Sequence, residues 1–159
     1  MLTIVSAGQT GVDRAALDVA IEQGIPYRGW CPKGGWAEDR PSPPGVLALY
    51  PGLRETQDAD PRQRTEWNAR DCDRLMVLVD RAGLSVSKGT AFALECAKAL
   101  AKPHIVIDID AGDATGLAAG FLEGQGTLAV CIAGPRESEA PGIYASTKAF
   151  LSHLLARRI

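Results

Sequence analysis

Residues 2–14 read LTIVSAGQTGVDR, an apolar and β-branched run that passes through a glycine-bearing turn into a helical pattern. The run at 2–7 predicts a strand. Beyond the turn, Ala16, Leu17, Ala20 and Ile21 recur at the spacing of one helix face, and Gly24 provides a stop signal. A strand that leads directly into a helix is typical of an α/β protein.

The same alternation continues along the chain. Strands are predicted at Leu2–Ala7, Ile25–Gly29, Arg74–Val79, His104–Ile109 and Thr127–Ala133. Helices are predicted at Asp13–Gln23, from Asp60-Pro61 to about Arg70, and at Thr90–Ala101, Ala114–Glu123 and Pro141–Arg157. Alternating strands and helices imply parallel pairing, so we predict a single, doubly wound, Rossmann-like domain with a mostly parallel sheet of about five strands flanked by helices. The segment Trp30–Ala59 is predicted to be irregular, and such long loops are usually functional or mobile.

Length and composition indicate an ordinary globular protein. The chain has 159 residues, 46% of them hydrophobic and 23% charged, with a net charge of -2. This weak negative charge argues against nucleic acid as a partner, and an anion would have to be captured by local geometry. No apolar run approaches the length of a membrane span.

The cysteines and the N-terminal segment favour a cytoplasmic location. The first residues lack a basic region of the kind that opens a signal peptide. No Cys-x-x-Cys pair is present, so reduced thiols are expected rather than disulfides or a zinc site. The cysteines are Cys31, Cys72, Cys96 and Cys131, of which Cys31 alone is expected near the rim of the sheet.

Ligands of such sheets bind beyond the carboxyl ends of the strands, where the first candidate loop lies. Two glycines three residues apart allow a close backbone approach, and the helix that follows offers free N–H groups to an anion. The alternative is a tight turn in which Thr10 caps the helix and Asp13 completes a capping box. The candidate ligand-binding residues of this loop are Gly8, Gln9, Thr10, Gly11 and Arg14.

Three further loops supply candidates at the same edge of the sheet. Lys33 could place a point charge on a phosphate, Thr90 opens a helix that it could also cap, and Arg136 offers a planar fork that suits a phosphate or carboxylate. Together the loops predict a site for a small anionic ligand. The candidates here are Lys33, Gly34, Gly89, Thr90, Gly134, Pro135, Arg136, Glu137 and Ser138.

The polar segment at residues 62–68 leaves two alternatives open. Arg64 and Asn68 lie four residues apart and therefore share one helix face. That face is either solvated or turned toward the ligand site.

Four segments in this order resemble the bacterial molybdenum carrier family, a branch of the LOG or lysine-decarboxylase-like Rossmann superfamily. They are GQTGVDRAA at 8–16, GWCPKG at 29–34, RTEWN at 64–68 and GPRES at 134–138, and the resemblance covers essentially the whole chain. It implies a binding protein for molybdenum cofactor, a pterin with a terminal phosphate, and a homo-oligomeric assembly.

The resemblance also implies an alternative, hydrolysis of the N-glycosidic bond of nucleoside monophosphates as in the LOG branch. That branch carries Pro-Gly-Gly-x-Gly-Thr-x-x-Glu, whereas this chain has Ser87-Lys88-Gly89-Thr90 followed by four apolar residues before Glu95. The departure favours a carrier over an enzyme. Asp80, after the third predicted strand, is the other acid that could serve, and no catalytic or metal-ligating residue is assigned.

Overall fold

The apolar runs of the sequence form one all-parallel sheet in this computed structural model, which describes residues 1–156. Within that part of the chain the sheet has six strands in the order β3-β2-β1-β6-β4-β5. The strands are β1 (Leu2–Val5), β2 (Tyr27–Cys31), β3 (Leu53–Glu55), β4 (Arg74–Val79), β5 (His104–Asp108) and β6 (Leu128–Ala133). The predicted doubly wound α/β fold is confirmed, with one strand more than expected.

The additional strand, β3, lies inside the segment that was predicted to be irregular. It contains three residues, of which only Leu53 is buried, and it pairs with β2 at the edge of the sheet. Such a short strand has no alternation from which it could be recognised. The remainder of Trp30–Ala59 is anchored by Val46 and Tyr50, which pack against Leu17 and Leu53 in a small apolar cluster.

Strand β2 begins two residues later than predicted. The Ile25 N–H donates to Ala20 O at the end of the preceding helix, and Pro26 has no N–H to give. Because both residues are engaged in leaving the helix, regular pairing with β1 starts at Tyr27, opposite Ile4.

Five helices among residues 1–156 cover the two faces of the sheet. Helices α1, α4 and α5 pack together on one face, and α2 and α3 pack together on the other. They are α1 (Val12–Glu22), α2 (Pro61–Arg70), α3 (Lys88–Ala99), α4 (Ala114–Leu122) and α5 (Ile143–Ala156). The predicted end of the last helix, Arg157, lies outside the described residues. None of these helices is both long and apolar enough to cross a membrane.

The central strand β4 is buried on both faces, as its continuous apolar run predicts. Met76 and Leu78 belong to the core beneath α1, α4 and α5. Leu75, Val77 and Val79 belong to the core beneath α3. Since successive side chains of a strand point to opposite faces, one run of six residues supports both halves of the domain.

Three helix starts test the capping predictions. Asp60 caps α2 as expected, because its carboxylate accepts from the Arg62 N–H at 2.9 Å. The capping box of Thr10 and Asp13 is wrong, since Gly11 is the N-cap of α1 and no side chain caps it. A cap at Thr90 is also wrong, because α3 begins earlier and Ser87 accepts from the Thr90 N–H.

The order of the strands places a crevice at the centre of the sheet. The chain leaves β1 through α1 toward β2 on one side and leaves β4 through α3 toward β5 on the other, with β6 between β1 and β4. Connections that diverge in this way open a space beyond the carboxyl ends of the strands.

Candidate functional site

A cleft occupies this position, beyond the carboxyl ends of β1, β6 and β4. Its free volume is about 40 Å³, the space of about three water molecules at roughly 10–15 Å³ each. The polar residues that line the cleft are Gln9, Asp13, Arg64, Thr65, Asn68, Ser87, Thr90, Arg136 and Glu139, with Gly89, Cys131 and Gly134 between them.

Arg64 reaches the cleft from α2. Only 15% of its side chain is exposed, and its Nη1 lies 4.0 Å from the Asp13 Oδ2. Its Nε is buried and has no hydrogen-bond partner among residues 1–156. Burial lowers the pKa of Arg64, the Asp13 carboxylate opposes that shift, and the Arg136 guanidinium adds to it. Arg64 is therefore a buried cation with unused hydrogen-bonding capacity.

Asp13 lies opposite Arg64, in the first turn of α1. Its side chain is 7% exposed, and burial raises its pKa to about 6, although Arg64, the Gln9 N–H and Arg14 act in the opposite direction. The alternative interpretation of the sequence placed this residue in a capping box. It is instead the ionisable carboxyl group deepest in the cleft, a role for which the sequence contains no signal.

The start of α3 forms an open wall of the cleft. Ser87 Oγ accepts from the Thr90 N–H at 3.2 Å and shares a 2.7 Å hydrogen bond with Thr90 Oγ1. Between them, Gly89 has no neighbouring atom within 4 Å of the position that a Cβ would occupy. At Gly89 the first turn of this helix is therefore open toward the cleft, while the Thr90 N–H is already bonded to Ser87.

The loop after β6 closes the opposite side. Gly134 approaches the Leu78 carbonyl and the Val12 side chain so closely that any Cβ would overlap with both. The Arg136 N–H donates to Glu139 Oε1 at 2.9 Å, and the Arg136 guanidinium lies 5.5 Å from the centre of the Trp36 ring. Within residues 1–156 no carboxylate lies at ion-pair distance from that guanidinium.

The structure separates the predicted residues into several places. Gln9, Gly89, Thr90, Gly134 and Arg136 line the cleft. Within the cleft wall, the Gln9 Oε1 accepts from the N–H groups of Thr10 and Glu38, each at 3.0 Å.

A second, open groove of about 740 Å³ lies on the other side of the β1 loop. Five predicted residues line it, namely Thr10, Gly11, Arg14, Glu137 and Ser138. The hydroxyls of Thr10 and Ser138 both donate to Glu38, and Arg14 forms a two-pronged ion pair with Asp39 at 2.8 and 2.9 Å. These donors are already committed to carboxylates of the protein.

The four remaining candidates lie elsewhere. Lys33 and Gly34 line a hollow among prolines of the irregular segment, apart from the cleft. Gly8 packs against Leu17, Val46 and Leu53. Pro135 covers the start of α1, since its carbonyl accepts from the Val12 N–H at 3.2 Å.

The expectation for the cysteines needs correction. Cys31 does end β2 at the rim of the sheet, as predicted, but its side chain is fully buried, and burial raises its pKa to about 11. The thiol that lines the cleft belongs to Cys131 of β6, a residue that is 5% exposed. Sequence position alone cannot show which face of a strand end a side chain takes.

The face shared by Arg64 and Asn68 points into the cleft, so the solvated alternative is wrong. Asn68 holds this geometry in place. Its Oδ1 accepts from the Trp30 N–H and its Nδ2 donates to the Trp30 carbonyl, both at 2.8 Å. The side-chain amide ties α2 to the edge of β2 and thereby fixes the position of Arg64 one turn earlier.

Comparison with known proteins agrees with this architecture. A family description, the circularly permutated YpsA SLOG family, matches residues 4–155. A crystal structure from Syntrophus aciditrophicus SB is similar over 96% of this chain and 94% of that chain, with 35% identity and a TM-score of 0.81; that protein is described as "Putative molybdenum carrier protein". Among the curated proteins no match was found. With the fold, the cleft and the matched range taken together, this chain belongs to the circularly permutated YpsA SLOG family.

Proposed function

We propose that this chain is a binding or carrier protein for a small phosphate-bearing ligand, with molybdenum cofactor as the first candidate, and that the cleft holds the phosphate. One observation carries the proposal. Two guanidinium groups, those of Arg64 and Arg136, face the same small cleft, and the buried Nε of Arg64 has no partner among the described residues.

This arrangement is unfavourable without an anion. Burial lowers the pKa of Arg64, and repulsion by the Arg136 guanidinium adds to that shift. A buried donor without a partner costs about 1–3 kcal/mol. A phosphate between the guanidinium groups would pair with both and accept from the unused Nε, and the open first turn of α3 adds a favourable dipole.

The size of the cleft agrees with a phosphate group rather than a whole cofactor. A free volume of about 40 Å³ is far below the roughly 300–1,000 Å³ of pockets that enclose a drug-sized ligand, so only a small group such as a phosphate would enter it and the rest of such a ligand would lie outside. The similarity to a protein described as a molybdenum carrier supports the cofactor as the first candidate.

Titration calorimetry with inorganic phosphate and with molybdenum cofactor tests the proposal. Arg64→Met and Arg136→Met should each weaken binding about 10- to 100-fold, since a hydrogen bond to a charged group contributes roughly 1.5–3 kcal/mol. Arg54→Met is the matched control, because Arg54 is an exposed arginine of β3 outside the cleft. Equal affinities of all three variants would contradict a binding role for the cleft.

The phosphoribohydrolase activity is a second candidate, supported by Asp13. Glu95 is exposed on the outer side of α3, and the Asp80 carboxylate accepts from the Ala82 N–H in its own turn. Asp13, in contrast, lines the cleft with a pKa of about 6, in the range useful for acid–base catalysis. Release of free base from nucleoside monophosphates, lost in Asp13→Asn, would favour this candidate.

Assembly and location complete the proposal. We infer a homo-oligomer that uses the α2–α3 face, where Trp67 and Phe92 are half-buried and Leu100 is 41% exposed. The four cysteines are free and buried, which suits the reducing cytoplasm. Light scattering of the purified protein should give a mass above 16.8 kDa, and Leu100→Lys should reduce it to that of the monomer.

A further inference from the structure

The cleft of the proposed function contains a carboxyl group among its cations. The Asp13 side chain is only 7% exposed, and it lines the same space as Arg64 and Arg136. In a site that only had to attract negative charge, such a group would weaken binding. Its position therefore constrains which anions can enter.

The groups around Asp13 show what balances its charge. They are Arg14 on its own helix, Arg64 on α2, Cys131 on β6, and Arg136 and Glu139 on the loop after β6. Arg14 is held by Asp39, and Glu139 accepts from the backbone of Arg136. Arg64, at 4.0 Å, is the cation that Asp13 shares with an incoming anion.

We propose that Asp13 makes the cleft selective for an oxyanion that carries a proton, namely inorganic hydrogen phosphate or the singly protonated form of a phosphate monoester, over oxyanions that are fully deprotonated at neutral pH, such as sulfate and molybdate. This inference rests on the proposed function, because it specifies which anion the same cleft accepts.

The selectivity follows from hydrogen-bond donors and acceptors. A protonated phosphate donates its O–H to the Asp13 carboxylate while its other oxygens accept from Arg64 and Arg136, and O–H···O⁻ bonds are short and strong. Inorganic hydrogen phosphate keeps this proton at neutral pH. A phosphate monoester has a second pKa of about 6, so it is mostly deprotonated at pH 7.5 and must take up a proton to bind in this way. Sulfate and molybdate present acceptors only, and one of their oxygens would face the carboxylate as a like charge.

The raised pKa of Asp13, about 6, adds a pH dependence. Below that pH the neutral carboxyl group donates a hydrogen bond, and fully deprotonated oxyanions become acceptable. Sulfate affinity should therefore increase as the pH falls through about 6. Above it, the cleft should accept phosphate and reject sulfate.

Calorimetric titration of the full chain with phosphate, sulfate and molybdate at pH 7.5, and with sulfate at pH 5, tests this proposal. The wild type should bind phosphate at least about 100-fold more tightly than either other anion, since like-charge juxtaposition is strongly unfavourable. In Asp13→Asn the difference should fall to about threefold or less, because an amide can donate to any oxyanion.

Asp18→Asn is the matched control on the same helix. The Asp18 carboxylate accepts from the hydroxyls of Tyr50 and Tyr144 in the second groove, so its loss should leave the selectivity unchanged. The wild-type titrations decide the question even if Asp13→Asn does not fold. Equal affinity for phosphate and sulfate at pH 7.5 would overturn the selectivity and leave the proposed function intact. If none of the anions bound, the proposed function would fail as well.

Discussion

The chain enters α1 and α3 through two turns that look alike in sequence and differ in the structure. Both follow a strand and both contain a glycine beside a threonine. At α1, Gly11 lies against the Pro135 carbonyl, the Val12 N–H is bonded, and Thr10 is held by Glu38. At α3, Gly89 faces open space in the cleft.

The difference shows that a glycine-bearing turn is used for packing when another segment covers it, and is available for binding when no segment does. The loop after β6 covers the first turn and so satisfies its groups within the protein. The second turn lies beyond the reach of that loop. The predictions below test this contrast, from the largest expected effect to the smallest.

The closed turn should tolerate no side chain. Gly11 has a φ of 78°, and an added Cβ would overlap with the Pro135 carbonyl and the Arg136 backbone. Gly11→Ala should lower the free energy of unfolding by about 3 kcal/mol or more, because its backbone conformation (φ 78°, ψ -130°) costs a non-glycine residue about 1–3 kcal/mol and the added Cβ overpacks the loop. Urea denaturation measures this.

Gly24→Ala is the control for that effect. Gly24 has a similar φ of 66° and nothing within 4 Å of an added Cβ. Gly24→Ala should lower the free energy of unfolding only by the cost of the backbone conformation, about 1–2 kcal/mol. Equal losses in the two variants would mean that the loop after β6 does not seal the start of α1.

Asp13 joins the two regions, because it begins α1 and faces the cleft. Its folded pKa of about 6 exceeds the ordinary value of 3.8, so the folded protein binds the proton more tightly than the unfolded chain. Its contribution to stability is thus present at low pH and lost as the pH rises from about 4 to 6. Asp13→Asn lacks this titration. Its free energy of unfolding should therefore rise relative to that of the wild type by on the order of 2–3 kcal/mol between pH 4 and pH 7. A difference that is constant with pH would mean that Asp13 titrates normally.

The hydroxyl of Thr10 should matter for stability alone. It donates to Glu38 and accepts from the Glu137 N–H at 3.2 Å. Thr10→Val should lower the free energy of unfolding by about 1–2 kcal/mol and leave phosphate affinity unchanged. Thr115→Val on α4, which lines neither the cleft nor the second groove, should have little effect on either quantity. A loss of phosphate affinity in Thr10→Val would place the ligand in the second groove.

The open turn should show the reverse behaviour. Gly89 lies in the first turn of α3, so Gly89→Ala should raise the free energy of unfolding by up to about 1 kcal/mol through reduced backbone entropy. Its methyl group would enter the cleft and lower phosphate affinity several-fold. Increased stability with unchanged phosphate affinity would show that the anion does not approach this turn.

Much of the fold was accessible from the sequence because its signals are local. The continuous apolar run of β4 and the Asp-Pro start of α2 appear in the structure where they were predicted. The edge strand β3 was missed, since it pairs through its backbone and carries too few residues for a pattern.

The site was only partly accessible, because a loop's sequence does not show which neighbour will cover it. Gly89, Thr90 and Arg136 were predicted and line the cleft, whereas Arg14 is paired with Asp39. Asp13 and Arg64 are 51 positions apart in the sequence. They form a pair in the cleft only because α1 and α2, on opposite faces of the sheet, both reach its carboxyl edge.

By itself the sequence determined the alternation of strands and helices, their parallel pairing and the edge of the sheet at which ligand groups gather, since periodicity and turn residues act over a few positions. Only the tertiary structure decided which turn is sealed and which is open, and which charges are buried together. Those properties depend on contacts between distant segments, where burial and the electrostatic field of neighbouring groups, rather than residue type, set how each side chain behaves.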